Sequence, residues 1–225
     1  MQTKSKSEEG EVKMGDLKDL SVEEFAALTA SAAPVPGGGS VAALAGALSA
    51  ALAEMVASLT VGREKYASVE TEMEQLLEAG GALRRELIEG IQKDSQSFGG
   101  YMAALKLPRE TEEEKELRRK AMQEGLKEAA CAPMAIAEAA AKIFPIARAV
   151  VEKGNSAAIS DGLISAMLAR TAVLAALLNV KINLGSIRDE EYVRETAERV
   201  RKLEQQAISG EAEILGLSKL SDTIL

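Results

Sequence analysis

The stretch Ser40–Gly62, SVAALAGALSAALAEMVASLTVG, decides the fold class. Its single charge is Glu54, and its length is close to the roughly 20 residues of a membrane span. Composition argues for another setting. The run is mostly Ala, Ser and Gly rather than Leu and Ile, and an acid at mid-span costs roughly 2.5–3.5 kcal/mol on insertion scales. It reads as a helix buried on several sides in a soluble protein.

Working outward, helical punctuation recurs and strand alternation is nearly absent. Upstream, Ser21 with Glu24 three residues on predicts an N-cap for a short helix to about Ala30. The irregular loop Ala33-Pro34-Val35-Pro36-Gly37-Gly38-Gly39-Ser40 follows, with Ser40 expected as the cap of the small-residue helix. Downstream, an amphipathic stretch runs from about Ala67 to Leu107, with a kink expected at Gly80-Gly81. Pro108, then Thr111 with Glu114, marks a stop and a new cap. The next helix is expected to break at Pro133 and another to run to Lys153. Gly154-Asn155 introduces a nearly uncharged helix from about Ser156 to Leu184, and a charged amphipathic one closes the chain from Asp189 to about Leu215. The expected fold class is all-α, a single-domain multi-helix bundle. Residues 1–16 read as a disordered or extended lead-in, 17–217 as the helical domain and 218–225 as a tail. Met1–Lys13 has no apolar core and so does not resemble a signal peptide.

With 225 residues, 47% of them hydrophobic, the chain can build one sizeable core or share one with a second copy. Aromatic residues are only 3%, and Trp is absent, so Ala, Leu and Val must do the packing. There is no histidine. That removes Ser-His-Asp triads, Cys-His pairs and His-based metal sites. Cys131 has no partner for a disulfide, which suits a reducing cytoplasm. A net charge of -8 argues against nucleic acid or an anionic membrane as partner.

The informative residues break the burial pattern. Leu83, Leu87, Ile91, Phe98, Met102 and Leu105 define an apolar stripe, and Asp94 falls inside it. A carboxylate there is costly unless paired, and its pKa tends to rise, as a general base working near neutrality requires. A buried cap, or a salt bridge to an arginine from another helix, explains the position equally well. Pro36-Gly37-Gly38-Gly39-Ser40 offers backbone N–H groups at a helix start, or is simply a flexible cap. Asn155 and Asp161 open the apolar helix, in which Asp161 is expected to be buried, and suit either a cap or a site. Asn179 and Asn183 share a face, where amides read a heterocycle edge or tie helices together. Arg63 and Lys65 sit at a helix end, where cations need no ligand.

Together these segments resemble the formiminotetrahydrofolate cyclodeaminase and methenyltetrahydrofolate cyclohydrolase family. They are Ala33–Ala43, Thr60-Val61-Gly62-Arg63, Asp94-Ser95-Gln96-Ser97-Phe98, Leu107-Pro108, Gly154-Asn155 with Ser160-Asp161, and Asn179–Leu184, in that order. The resemblance covers about Leu20 to Gln206. It implies an all-helical homodimer acting on a tetrahydrofolate derivative, with no metal or other cofactor, as a stand-alone version of the cyclodeaminase half of a bifunctional enzyme. It implies Asp94 as proton acceptor at the carbon bridging N5 and N10. The glycine turn Pro36–Ser40, Asn155, Asp161, Asn179 and Asn183 become substrate-site candidates, and Arg63 and Lys65 candidates for the glutamate tail of folate. Cyclodeaminase and cyclohydrolase both fit. A helical dimer that binds folate or another protein without catalysis is the alternative of a different class.

Overall fold

The computed structural model describes residues 16–221. Seven α-helices account for most of them: α1 (Val22–Thr29), α2 (Gly38–Ser58), α3 (Glu70–Leu105), α4 (Glu112–Ala141), α5 (Ile143–Lys153), α6 (Ile159–Leu184) and α7 (Glu190–Leu215). Short 3-10 turns occur at Leu17–Asp19, Glu64–Val69, Ser156–Ala158 and Lys219–Ser221, and no strand occurs among the described residues. Of the lead-in only Asp16 is described. The tail begins with a buried Ser218, and its residues 222–225 lie outside the described ones.

Both capping boxes form. Ser21 Oγ accepts from the Glu24 N–H at 3.2 Å while the Glu24 carboxylate accepts from the Ser21 N–H at 2.8 Å. Thr111 and Glu114 repeat the exchange at 3.1 and 3.0 Å. Asp189 caps α7 by accepting from the Tyr192 N–H at 3.0 Å.

The alanine-rich α2 packs antiparallel to both α3 and α6. Pairings along its length set the register: Ser40 against Ile91, Gly46 against Leu87 and Ala172, Ser49 against Ser165, and Glu54 against Arg84. Small side chains let these axes come close. At the α2–α6 crossing, Ser49 Oγ donates to the Ser165 carbonyl at 2.7 Å and Ser165 Oγ to the Ser49 carbonyl at 2.8 Å, so both buried hydroxyls are satisfied. α4 runs antiparallel to α3, and α7 covers α4 and α6 through ion pairs such as Arg199–Glu138 at 2.5 Å and Arg170–Glu211 at 3.1 Å. α5 packs against the start of α6 and the end of α7, where Phe144 lies against Gly210.

By length and composition alone, α2 and α6 could each cross a membrane. They occupy the centre of the bundle instead. Glu54 is answered by Arg84, whose Nε and second guanidinium nitrogen donate to its two oxygens at 2.7 and 3.2 Å.

Four local expectations change. The small-residue helix starts at Gly38 with Gly37 as cap, so Ser40 lies within its first turn. α3 continues helical through Gly80-Gly81, whose missing side chains make room for Glu54: a Cβ on Gly80 would lie 2.9 Å from Glu54 Cγ. The α3 stripe is buried at Leu83, Leu87 and Ile91, but Met102 is 43% exposed, because α3 outruns the core there. The Phe98 side chain lies outside the described ones. Finally, Pro133 sits inside a continuous α4, and the break comes at Lys142. Proline removes one helical hydrogen bond, and the freed carbonyl of Ala129 accepts from Asn183 Nδ2 at 3.0 Å instead.

Candidate functional site

Four helices and a loop converge where α2 begins. The loop Pro34–Gly37, the first turn of α2, Asp94 on α3, Ala129 and Pro133 on α4, and the last turns of α6 enclose a cavity of about 230 Å³. The Val35–Pro36 peptide in the loop is cis, and Pro36 is buried behind the lining.

Asp94 owes its place to Gly39. A Cβ there would lie 2.0 Å from Asp94 Oδ1, so only glycine lets the carboxylate rest against the start of α2. N–H groups in the first turn of a helix lack helical partners and carry partial positive charge. Ser40 supplies two donors: its hydroxyl hydrogen is shared between Asp94 Oδ2 at 3.0 Å and the Ile91 carbonyl at 3.1 Å, and its backbone N–H also bonds the carboxyl. Burial pushes the Asp94 carboxyl above the usual carboxylate range, and the two Ser40 hydrogen bonds pull it part of the way back. No cation pairs with Asp94 among the described residues, so the salt-bridge reading of the stripe does not hold, whereas the bonds from Ser40 in the first turn of α2 are those of a cap. The result is a half-buried carboxylate with fixed geometry, open to a cavity.

On the other side of the same turn, a Cβ on Gly38 would lie 3.3 Å from Asn179 Nδ2. Asn179 Nδ2 donates to the Ala175 carbonyl at 2.9 Å, and Asn183 Nδ2 to the Asn179 carbonyl at 2.9 Å. Thus Asp94, Gly37, Gly38, Gly39, Asn179 and Asn183 all line one cavity, with Ser40 directly behind.

Arg63, Lys65, Asn155 and Asp161 lie elsewhere in the chain. They gather at the far end of α2, whose 21 residues span roughly 30 Å at about 1.5 Å per residue. Asn155 there acts as a joint: its N–H donates to Thr60 Oγ1 at 2.8 Å, its Nδ2 to the Leu59 carbonyl at 3.0 Å, and its Oδ1 accepts from the Ala157 N–H at 3.1 Å. Asp161 is half-exposed in the first turn of α6 rather than buried. Arg63 is exposed, and the Lys65 ammonium sits 5.0 Å from the centre of the Tyr66 ring. Hydrogen bonds from Ser156, side chain then backbone, with a smaller contribution from Lys65, lower the Tyr66 phenol to about 8.

Sequence reasoning passed over Pro133 and Ala129 as part of the cavity wall. The signal was present: the run AACAPMAIA keeps helical composition on both sides of the proline, which argues for a tolerated interior proline rather than a stop.

Comparison with known proteins fits this geometry. Residues 21–202 match the family model described as formiminotransferase-cyclodeaminase. A methenyltetrahydrofolate cyclohydrolase from Methylorubrum extorquens is 39% identical over 183 residues, covering 81% of this chain and 86% of that protein. The formimidoyltransferase-cyclodeaminase of Rattus norvegicus is 34% identical over 200 residues, 89% of this chain but 37% of the longer rat protein. Among solved structures, the formiminotetrahydrofolate cyclodeaminase of Thermotoga maritima superposes with a TM-score of 0.81 at 32% identity, over 89% of this chain and 96% of that one. The chain belongs to the formiminotransferase-cyclodeaminase family, a family of folate one-carbon enzymes.

Proposed function

We propose that this protein acts on the carbon bridging N5 and N10 of tetrahydrofolate, with Asp94 as the proton acceptor and no further cofactor. One observation carries the reading. A carboxylate is held against the first turn of α2 by Gly39 and Ser40, raised above its usual range by burial and open to a cavity walled by two asparagines.

In cyclodeamination, N10 of 5-formiminotetrahydrofolate attacks the formimino carbon. Asp94 takes the N10 proton as that C–N bond forms, and a proton then passes to the leaving nitrogen, which departs as ammonia to give 5,10-methenyltetrahydrofolate. In the hydrolytic direction, water adds to the methenyl carbon and Asp94 takes one of its protons; the bond to N5 then breaks as N5 gains a proton and the added hydroxyl loses its own, giving 10-formyltetrahydrofolate. Both reactions need a base beside a cationic carbon. The hydrogen bonds from Ser40 at the start of α2 oppose the effect of burial and favour the ionised form of Asp94.

Purified protein given each substrate separately, followed by methenyl absorbance and by ammonia, distinguishes the two. Methenyl formation with matching ammonia release identifies a cyclodeaminase, and methenyl loss without ammonia a cyclohydrolase. Turnover of neither contradicts the proposal.

A homodimer belongs to the same reading. Val41, Leu48 and Met55 recur every seventh residue on the exposed side of α2, beside Ile164, Leu178 and Ile182 on α6. Two adjoining helices with such a face suit an isologous contact with a second copy. Set antiparallel across a two-fold axis, each copy's Arg63 and Lys65 would lie towards the other's Asp94 end. The anionic tail of a folate in that cavity would then meet cations from the second chain. Cytoplasmic location is part of the proposal, in keeping with a free Cys131.

A further inference from the structure

Pro133 has no N–H, so the carbonyl four residues earlier in α4, that of Ala129, loses its usual helical donor. Asn183 Nδ2 supplies one at 3.0 Å and donates its second hydrogen to the Asn179 carbonyl at 2.9 Å. Both neighbours are carbonyl oxygens, which only accept. The amide therefore has one allowed orientation, since its flip would set Oδ1 against two acceptors. With both hydrogens committed, the only free hydrogen-bonding function of Asn183 is Oδ1, which has no donor among the described residues, on a residue that lines the Asp94 cavity.

We infer that Pro133 is a positioning residue: by freeing the Ala129 carbonyl it locks the Asn183 amide, so that this side chain presents a hydrogen-bond acceptor and no donor to the cavity. Resting on the folate reading above, the group it selects is an N–H on the edge of the reduced pterin, where N3–H and the 2-amino group are donors. A ligand offering a carbonyl or an unprotonated ring nitrogen at the same place is refused, because a buried acceptor facing another acceptor stays unsatisfied. Asn179, with one amide hydrogen bonded to the Ala175 carbonyl, keeps the other free and is not restricted in this way.

The test is Pro133→Ala, with Pro133→Val as the variant closer in volume should the first fold poorly. Either restores the N–H that satisfies Ala129 within α4 and releases one anchor of Asn183. The expected result is a roughly tenfold rise in KM for the folate substrate with kcat nearly unchanged, the loss of one hydrogen bond's contribution to binding. In the Asn183→Ala background the same substitution is expected to add nothing, because Pro133 acts through that amide. Exchange of the Asn183 side-chain amide protons with water, read by NMR on the ligand-free protein, should quicken in the proline variants. Unchanged KM, full additivity with Asn183→Ala, or unaltered exchange would each overturn the inference. Wild-type protein inert towards both folates would defeat the functional reading and the pterin assignment with it. The exchange measurement needs no substrate and would still decide whether Pro133 locks the amide.

Discussion

At Gly39 a methyl group would meet Asp94 Oδ1 at 2.0 Å, far inside any real contact, and the neighbour that must yield is the carboxylate itself. Gly39→Ala is therefore expected to leave the bundle folded while displacing Asp94. It should lower kcat/KM by about a hundredfold, the lower range of a lost general base, with an unchanged circular dichroism spectrum. The protonation of Asp94 gives a second expectation. A base must be ionised to act, so kcat/KM should rise with pH through an apparent pKa above the ordinary carboxylate range. Stability should move the other way. Because the folded-state pKa lies above the unfolded one, the native chain binds more protons between the two values, and stability falls as pH rises through that window. Asp94→Asn removes this cost. Its melting temperature should exceed that of the wild type at neutral pH, and the gap should close below about pH 4. Asp94 was legible in the sequence because a carboxylate at a stripe position calls for a cap, an ion pair or a function to explain it. Its partner was not: periodicity carries no record of which residue lies across a helix interface, so Gly39 looked like one more glycine in a flexible cap.

Among the elements, those with local signals were the easiest to read. The Ser21 and Thr111 capping boxes depend on residues three apart, and both formed. Pro133 failed as a local signal because Asn183 compensates at the freed carbonyl, and Gly80-Gly81 lies within a continuous helix beneath Glu54. Gly125 belongs to the same class. An added Cβ would lie 2.8 Å from the Tyr101 backbone, so α3 and α4 can approach there only because the residue is glycine. Backbone cannot swing aside as a side-chain tip can. Gly125→Val should destabilise the fold by about 1–3 kcal/mol, the usual cost of overpacking, measurable by urea unfolding. Gly99, with nothing within 4 Å of its missing Cβ, should accept Ala without a steric penalty.

At the scale of the whole molecule, the apolar character of α2 and α6 arises from their central position, and that much could be read from composition and the lone Glu54. What composition could not reveal is the split of the candidate residues between the two ends of α2, because linear order says nothing about which end of an antiparallel helix a segment reaches. Leu178 and Ile182, 66% and 75% exposed and one turn apart on α6, leave an apolar pair in need of a covering surface. If a second copy supplies it, the wild type should sediment as a dimer, and Leu178→Lys with Ile182→Glu should give a folded monomer. The central claim is that Asp94 takes the proton at the folate bridge carbon. Its most direct test is steady-state turnover of 5-formiminotetrahydrofolate and 5,10-methenyltetrahydrofolate by wild type and Asp94→Asn, with folding checked by thermal melt. The expected result is turnover of at least one substrate by the wild type and a loss of about a hundredfold or more in a variant that still melts cooperatively. A folded Asp94→Asn protein retaining wild-type kcat/KM would contradict the claim.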